Sequence, residues 1–292
     1  MYQEWAGQHG GGVWPPEDTD IALCAIARVQ AGYSVSGCNA VISGTLGIRT
    51  LFWGKGGGES DILGAARKYI KRKAWAGDMA KDPLLYEDVL KVVEKAGVDE
   101  DLVRFRDVCL VVVSFFGFLR FDDAQQLKLD DVEVYDKYIV VFIRQAKNDP
   151  EAEGQRVVVV ANKGLADPVG MVNKYKTRMQ HDMISEVDRV DTCFFPKMTR
   201  KRGGQDVSVI DNVPIDYNAI RKNVLDLFEE CGIRSEKLGL HSMRIGGATE
   251  FTKRGAKEST VTNHGRWKQP SSRLRYVRTL LEELEEISGM FD

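Results

Sequence analysis

The chain has 292 residues, of which 43% are hydrophobic and 29% are charged, and its formal net charge is -2. This length favours two domains, and the composition is that of a globular protein that buries a sizeable core. The near-zero net charge argues against a uniformly basic protein that coats nucleic acid, but it is compatible with one basic face on an otherwise acidic molecule. The sequence has no apolar run long enough for a membrane span and no secretory signal at its N-terminus.

The five cysteines are scattered, and no two of them have the C-x-x-C spacing. An odd number of cysteines without that spacing argues against a disulfide framework and against a zinc site. We therefore expect free thiols, a reducing compartment and no metal.

Residues 1–80 are expected to form a small all-helical domain. Its Gly-rich opening looks unstructured, and it is either native or a truncation point. The spacing of apolar residues then predicts helices over 21–29, 35–52 and 62–75, with a glycine-rich loop before the third. This third helix is basic, so it either faces phosphates or is a solvated surface. Its basic residues are Arg67, Lys68, Lys71, Arg72 and Lys73.

A polar linker is expected at residues 77–83, and residues 81–292 are expected to form the second domain. One of its helices, over 103–118, is so apolar that it must be central to the core. Other helices are predicted over 86–96, 166–183 and 217–231 and through most of the C-terminal segment. Three β-branched and aromatic runs predict an antiparallel sheet with a long hairpin tip, over 132–134, 138–144 and 156–161. The predicted fold class is mainly α with a small antiparallel sheet.

The segment 241–278 is strongly basic, with nine positive side chains and two negative ones. Such a local excess is expected where a protein binds phosphates, although charge alone also permits a solvated basic surface. DNA contacts are expected from three residues of this segment and from a basic loop upstream of it. These residues are Arg266, Lys268 and Arg273, and Arg200, Lys201 and Arg202.

Two arginines are candidates for binding a phosphate within this second domain. Arg120 precedes a helix in which Asp123 lies one turn further on, where its carboxylate could hold the guanidinium as a rigid, bidentate fork. Arg244 follows His241 at a spacing of three, which puts both side chains on one face of a helix. Such a pair can contact one phosphate, with the histidine as proton carrier and the arginine as charge clamp.

Three further residues have both a structural and a chemical interpretation. Trp267 and Tyr276 are aromatic residues that could belong to the core, but Tyr276 lies among arginines, which favour its phenolate and can activate it as a nucleophile. Lys147 lies at the predicted hairpin tip, where by itself it is a solvated loop lysine.

Taken together, these residues resemble the catalytic series of the tyrosine recombinase (phage integrase) family, in the same order. Arg120 matches the first catalytic arginine, Lys147 the hairpin lysine, His241 and Arg244 the His-x-x-Arg pair, and Tyr276 the nucleophile. Trp267 stands where many members have a second histidine, and Asp123 stands where an acid often supports the first arginine. The block Gly-Arg-Trp-Lys, followed by Leu-Arg-Tyr-Val-Arg, is similar to recombinases of eukaryotic DIRS-like and Crypton-like mobile elements, and also to the P1 phage recombinase.

The resemblance implies metal-free cleavage and rejoining of double-stranded DNA through a covalent 3′-phosphotyrosine, without a cofactor. It implies a helical core-binding domain and a catalytic domain that clamp the duplex between them, and a tetramer on DNA linked by C-terminal helices. A tail that packs on its own domain is an equal alternative for residues 280–291. The protein would be intracellular, and nuclear in a eukaryote, and the sequence does not specify its DNA target.

Two other functions stay open on the sequence. A type IB topoisomerase would use the same chemistry to cut and reseal one strand. A domesticated DNA-binding protein would keep the fold without catalysis, although the intact series of candidate residues argues against it.

Overall fold

The computed structural model describes residues 2–10, 14–54, 60–73, 81–96, 101–144, 154–182, 192–200, 207–234, 236–269 and 273. These residues belong to two compact units, Met1–Met79 and Ala80–Asp292. No helix in the described ranges combines the length and the apolar content that crossing a membrane requires.

The first unit is a helical bundle. Its described helices are α1 (Tyr2–His9), α2 (Asp18–Gln30), α3 (Val35–Trp53) and α4 (Asp61–Lys73). Its core forms where Ile21 of α2, Ile42 of α3 and Ile70 of α4 pack together without solvent exposure. Because burial of such side chains is the main favourable term in folding, the predicted helical bundle follows from this apolar spacing.

Helix α1 corrects the expectation that the N-terminal opening is unstructured. Tyr2 and Ala6 are one helical turn apart and are both buried, against Cys24 and Val41. The stretch contains aromatic residues as well as glycines, and the Tyr2 ring lies 5.6 Å from that of Trp14. Aromatic packing therefore organises a segment whose glycine content suggested a loop.

The second unit combines helices with two small sheets. Its described helices are α5 (Tyr86–Ala96), α6 (Leu102–Phe116), α7 (Phe121–Gln125), α8 (Pro168–Asp182), α9 (Tyr217–Glu230), α10 (Ser242–Lys253) and α11 (Glu258–His264). Its strands are β1 (Val132–Val134), β2 (Tyr138–Ile143), β3 (Gln155–Val160), β4 (Pro196–Arg200) and β5 (Val207–Pro214). The predicted class, mainly α with a small antiparallel sheet, is confirmed.

Helix α6 is the centre of this unit, as its apolar sequence predicted. It begins where the Asp101 carboxylate accepts from the Val103 N–H at 3.0 Å, and most of its side chains are buried. The buried Arg106 guanidinium contacts the Asp107 carboxylate at 2.7 Å and donates to the Pro196 carbonyl, so α6 is tied to β4. Burial raises the pKa of Asp107, whose second oxygen accepts from Asn223 of α9 at 3.0 Å.

The first sheet has the order β1-β2-β3, with both pairs antiparallel. Residues 144–154 connect β2 to β3, so the candidate Lys147 belongs to this connection and lies outside the described residues. The second sheet pairs β4 with β5, where a loop was expected. The prediction missed this hairpin because two of the five residues of β4 are basic, although Val207 and Val209 show the alternation of a strand.

Two glycines bring α10 against the backbone of its neighbours. A Cβ atom on Gly246 would lie 1.9 Å from the Leu84 carbonyl oxygen, and one on Gly247 would lie 2.1 Å from the Phe115 carbonyl oxygen. Neither position has room for a methyl group, so α10 packs directly against the backbone of these neighbours. The two glycines therefore allow α10 to lie close to the end of α6, and the candidate site is at this end of α6.

Candidate active site

The turn between α6 and α7 presents Arg120. After α6 ends at Phe116, Phe118 adopts a φ of 46°, a left-handed conformation that is uncommon for a residue with a bulky side chain. Arg120 then begins α7, and the Asp123 carboxylate accepts from its backbone N–H at 3.3 Å. Asp123 Oδ2 also lies 3.8 Å from Arg120 Nη1, and the Arg120 side chain is 13% exposed. The resemblance implied that Asp123 supports Arg120, and this role stays a prediction.

Helix α10 brings Arg244 to the same turn. Arg244 is fully buried, and it donates from Nη1 to the Phe118 carbonyl and from Nη2 to the Gly265 carbonyl, the latter at 2.5 Å. Its guanidinium carbon lies 4.7 Å from the ring centre of Trp267, a cation–π arrangement. The first and second candidate arginines, 124 positions apart in the sequence, therefore meet at one turn.

The loop after α11 closes this arrangement. Arg266 has a φ of 56° and a side chain that is 6% exposed. Its Nη2 donates to Asp123 Oδ2 at 2.9 Å and to the Phe118 carbonyl at 3.1 Å. Trp267 is buried beside it, with its ring 6.3 Å from that of Phe118. A left-handed non-glycine residue costs of order 1–3 kcal/mol, so the surroundings must hold this loop firmly.

His241 is half-buried at the start of α10. Burial and the nearby charges of Arg244 and Arg120 lower its pKa to about 4, against a smaller opposing effect of Asp122. At neutral pH its imidazole is therefore uncharged and can accept a proton. The sequence placed His241 and Arg244 on one face of a helix, and the structure has His241 at the residue before α10.

His264 is part of the packing around Phe118. Its Nε2 lies 2.7 Å from the Phe116 carbonyl oxygen, and its ring lies edge-on to Phe118 at 4.6 Å. Burial is the main cause that lowers its pKa. The ring thus helps to fix the turn that carries Arg120.

The site carries a net positive charge. The guanidinium groups of Arg120 and Arg266 lie against the buried Asp123 carboxylate, and that of Arg244 shares the Phe118 carbonyl with Arg266, while His241 is neutral at pH 7. An excess of fixed positive charge in a partly buried site suits a phosphodiester, which gains a second negative charge as it is attacked. In the described residues no group of His, Cys, Asp and Glu side chains could hold a metal ion.

Comparison with known proteins identifies the fold. No protein-family model matches the sequence, and no curated protein matches it. A XerH site-specific recombinase, in a post-cleavage complex with a palindromic difH substrate, matches with 16% sequence identity and a TM-score of 0.60 over 93% of this chain and 72% of that chain. The Tn1549 transposon integrase, in complex with a circular intermediate DNA, matches with 11% identity and a TM-score of 0.61 over 94% of this chain and 85% of that chain. A lambda integrase dimer bound to a core site matches with 14% identity and a TM-score of 0.54 over 95% and 70% of the two chains.

The fold is that of a tyrosine recombinase. Within this fold the structure brings Arg120, Asp123, His241, Arg244 and Trp267 together. Tyr276 and Lys147, the candidate nucleophile and the hairpin lysine, lie outside the described residues.

The candidate DNA contacts divide into exposed and buried residues. Lys68, Lys71, Arg72 and Lys73 of α4 are exposed, as is Lys268. Arg67 instead donates to Asn39 and Ser43 of α3, each at 3.0 Å. Lys201 and Arg202 lie outside the described residues, and Arg200 is described at the backbone alone.

Arg266 and Arg273 differ from the expectation of exposed DNA contacts. Arg266 is bound to Asp123 and Phe118, and the 4% exposed side chain of Arg273 pairs with Glu258 at 3.0 Å. The charge pattern shows that a segment is basic but does not show which way each side chain points. The sequence carries no signal for the structural role of Arg266, because its partners Asp123 and Phe118 are 143 and 148 positions away.

Proposed function

We propose that this protein is a site-specific DNA recombinase or integrase that cleaves and rejoins DNA through a covalent 3′-phosphotyrosine. The observation that carries the proposal is the meeting of Arg120 and Arg244 at the Phe118 turn, with Trp267 against Arg244, in a chain with the tyrosine recombinase fold. The Arg244 guanidinium is fixed by hydrogen bonds to two carbonyls, and the Arg120 guanidinium lies 3.8 Å from the Asp123 carboxylate. Two such groups can stabilise the non-bridging oxygens of a phosphodiester as charge develops on them.

In the proposed reaction, the Tyr276 hydroxyl attacks the scissile phosphorus and loses its proton to neutral His241. The new bond joins phosphorus to the tyrosine oxygen, and the bond to the 5′-oxygen breaks. Lys147 gives a proton to this leaving oxygen, which becomes a free 5′-hydroxyl. Attack by a 5′-hydroxyl reverses these steps, so the energy of the phosphodiester is retained and the reaction requires neither a nucleotide nor an added reductant.

The two arginines differ in their accessibility. Arg120 is partly exposed, whereas Arg244 is fully buried and donates to the carbonyls of Phe118 and Gly265. Because these carbonyls hold the guanidinium of Arg244, it acts on the phosphate through its charge, which a poorly solvated site screens only weakly.

The wider assignment follows from the same proposal. Double-stranded DNA is the partner, the first unit is a core-binding domain, and a tetramer forms on DNA through C-terminal helices. The Gly-Arg-Trp-Lys block supports a relation to recombinases of DIRS-like and Crypton-like mobile elements and to the P1 phage recombinase. The protein would act inside the cell, and in the nucleus of a eukaryote.

Formation of a covalent adduct tests this function. Bound fragments are first selected from random-sequence duplex DNA, and the selected sites are rebuilt as duplexes nicked just 3′ of each candidate phosphate. Cleavage then releases a short fragment that diffuses away, which traps the protein on DNA. We expect an adduct that survives denaturation and is lost in Tyr276→Phe but retained in Tyr138→Phe, a matched change at an exposed tyrosine of β2.

The outcomes separate the alternatives. Absence of an adduct with every selected site would contradict the proposal and leave a DNA-binding protein without catalysis. An adduct without exchange of strands between two sites would indicate cutting and resealing, as by a type IB topoisomerase. Exchange of strands between two labelled sites would support recombination.

A further inference from the structure

Arg266 connects the two candidate arginines without occupying the position of either. Its Nη2 contacts Asp123 Oδ2 at 2.9 Å, and Asp123 in turn accepts from the Arg120 N–H. The same Nη2 contacts the Phe118 carbonyl at 3.1 Å, and this carbonyl also accepts from Arg244. One buried side chain therefore shares an acceptor with each of the two arginines.

The distances indicate how the charge of Asp123 is divided. Its Oδ2 lies 2.9 Å from Arg266 but 3.8 Å from Arg120 Nη1. Because the attraction between charges rises as they approach, and more so in a poorly solvated site, Asp123 is mainly the counter-charge of Arg266. The charge of Arg120 is then left available for another anion.

The backbone of Arg266 adds a second connection. Its left-handed φ of 56° turns the chain so that the Gly265 carbonyl faces Arg244 and the Trp267 ring packs over the Arg244 guanidinium. The side-chain bonds to Asp123 and Phe118 hold this conformation in place. Arg266 is thus bound to the turn that carries Arg120 and to the loop that packs on Arg244.

We propose that Arg266 is a positioning residue of the phosphate site: it neutralises Asp123 and fixes the Phe118 carbonyl, so that Arg120 and Arg244 are held in place with their charge directed to the scissile phosphate. This proposal rests on the proposed function. Arg266 itself contacts neither the phosphate nor the DNA. Without it, Asp123 would pair with Arg120 and withdraw that guanidinium from the phosphate.

The test compares variants that suit the backbone conformation. Glycine and asparagine both tolerate a positive φ, so Arg266→Gly and Arg266→Asn remove the guanidinium without adding strain. The rate of covalent adduct formation is measured for both variants and for Arg266→Gly combined with Asp123→Asn. The control is Arg254→Ala, because the Arg254 side chain is exposed and pairs with Glu250 on the same helix.

Each protein is tested on two substrates that contain the same selected site. One has the natural phosphodiester at the scissile position, and the other has a methylphosphonate, in which a methyl group replaces one charged oxygen. A neutral phosphonate requires less positive charge for its stabilisation. The loss caused by a charge effect therefore shrinks on the methylphosphonate, whereas a loss of structure lowers the two rates equally.

On the phosphodiester we expect both single variants to be slower by about 10–100-fold, the range known for residues that orient the ligands of a metal ion, which is likewise a charged site. We expect a clearly smaller loss on the methylphosphonate, and a double variant that is faster than Arg266→Gly. Arg254→Ala should retain the parent rate.

Three results would overturn the inference while the parent still forms its adduct. They are an unchanged rate in Arg266→Gly, equal losses on both substrates, and a double variant no faster than the single one. Absence of the adduct in the parent chain would instead refute the proposed function itself, and the role of Arg266 with it.

Discussion

Asp123 and Arg266 form an ion pair of 2.9 Å although they are 143 positions apart in the sequence, and the side chain of each is almost fully buried. The pair joins the first residues of α7 to the loop after α11, across the end of α6. Burial lowers the pKa of Arg266, while the charge of Asp123 opposes this effect. The attraction between these two buried charges therefore holds together two segments that are remote in the sequence.

Removal of the charge of Asp123 should destabilise the second unit. Asp123→Asn leaves the buried Arg266 guanidinium without its anion, and we expect a loss of about 1.5–3 kcal/mol in the free energy of unfolding. Asp122→Asn is the matched control, because Asp122 is exposed in the same turn, and its effect should stay within about 0.5 kcal/mol. Urea unfolding measures both values, and equal effects would contradict a special role for the Asp123 carboxylate.

The glycines of α10 should not tolerate a methyl group. In Gly247→Ala the new Cβ would lie 2.1 Å from the Phe115 carbonyl oxygen, and backbone cannot move aside as a flexible side chain can. We expect a loss of about 1–3 kcal/mol, because overpacking forces α10 away from α6. Since the Arg244 guanidinium moves with α10, the rate of adduct formation should fall as well.

Gly47→Ala provides the control for this substitution. Gly47 is an exposed helical glycine of α3, and a Cβ atom added there would have no other atom within 4 Å. Alanine should therefore stabilise its helix by about 0.5–1 kcal/mol. Hydrogen exchange of the two units, measured peptide by peptide, separates the effects. A stability gain in Gly247→Ala would show that α10 does not pack as closely as its glycines indicate.

The sequence predicted those parts of the molecule that depend on local pattern. Local sequence indicates burial for the apolar run of α6, strands for the valine-rich β2 and β3, and close packing for the glycines of α10. The role of Arg266 could not be predicted, because it depends on a carboxylate far away in the chain and on the left-handed turn at Phe118. By their charge alone Arg266 and Lys268 are equivalent, although the Arg266 side chain is buried and Lys268 is exposed.

The stability of the second unit should depend on pH through His241. Its pKa is lowered to about 4 in the folded chain by burial and by Arg244 and Arg120, against 6.5 as the ordinary value. The unfolded chain therefore binds more protons between these pH values, so stability is fully present above pH 6.5 and declines as the pH falls towards 4. The loss approaches roughly 3 kcal/mol at the lower limit.

Urea unfolding over a pH series checks this dependence. In His241→Gln the decline between pH 6.5 and 4 should become smaller. It should not vanish, because burial also lowers the pKa of His264, with the same sign. An identical decline in the parent and in His241→Gln would show that His241 is as easily protonated in the folded chain as in the unfolded one.

The basic helix α4 should contribute to DNA affinity through its exposed residues and not through Arg67. Each contact with a phosphate releases a counterion, so its loss reduces the slope of log K against log salt concentration by about 0.9. We expect this change, without a change in sequence preference, for Lys71→Ala and Lys73→Ala, measured on a random-sequence duplex over a salt titration. Arg67→Ala is the matched control, because the Arg67 guanidinium is held by Asn39 and Ser43 of α3. Arg67→Ala should lower the stability of the first unit and leave the salt slope unchanged. A slope that is reduced in Arg67→Ala but not in Lys71→Ala or Lys73→Ala would contradict the prediction, because it would show that Arg67 contacts the phosphate.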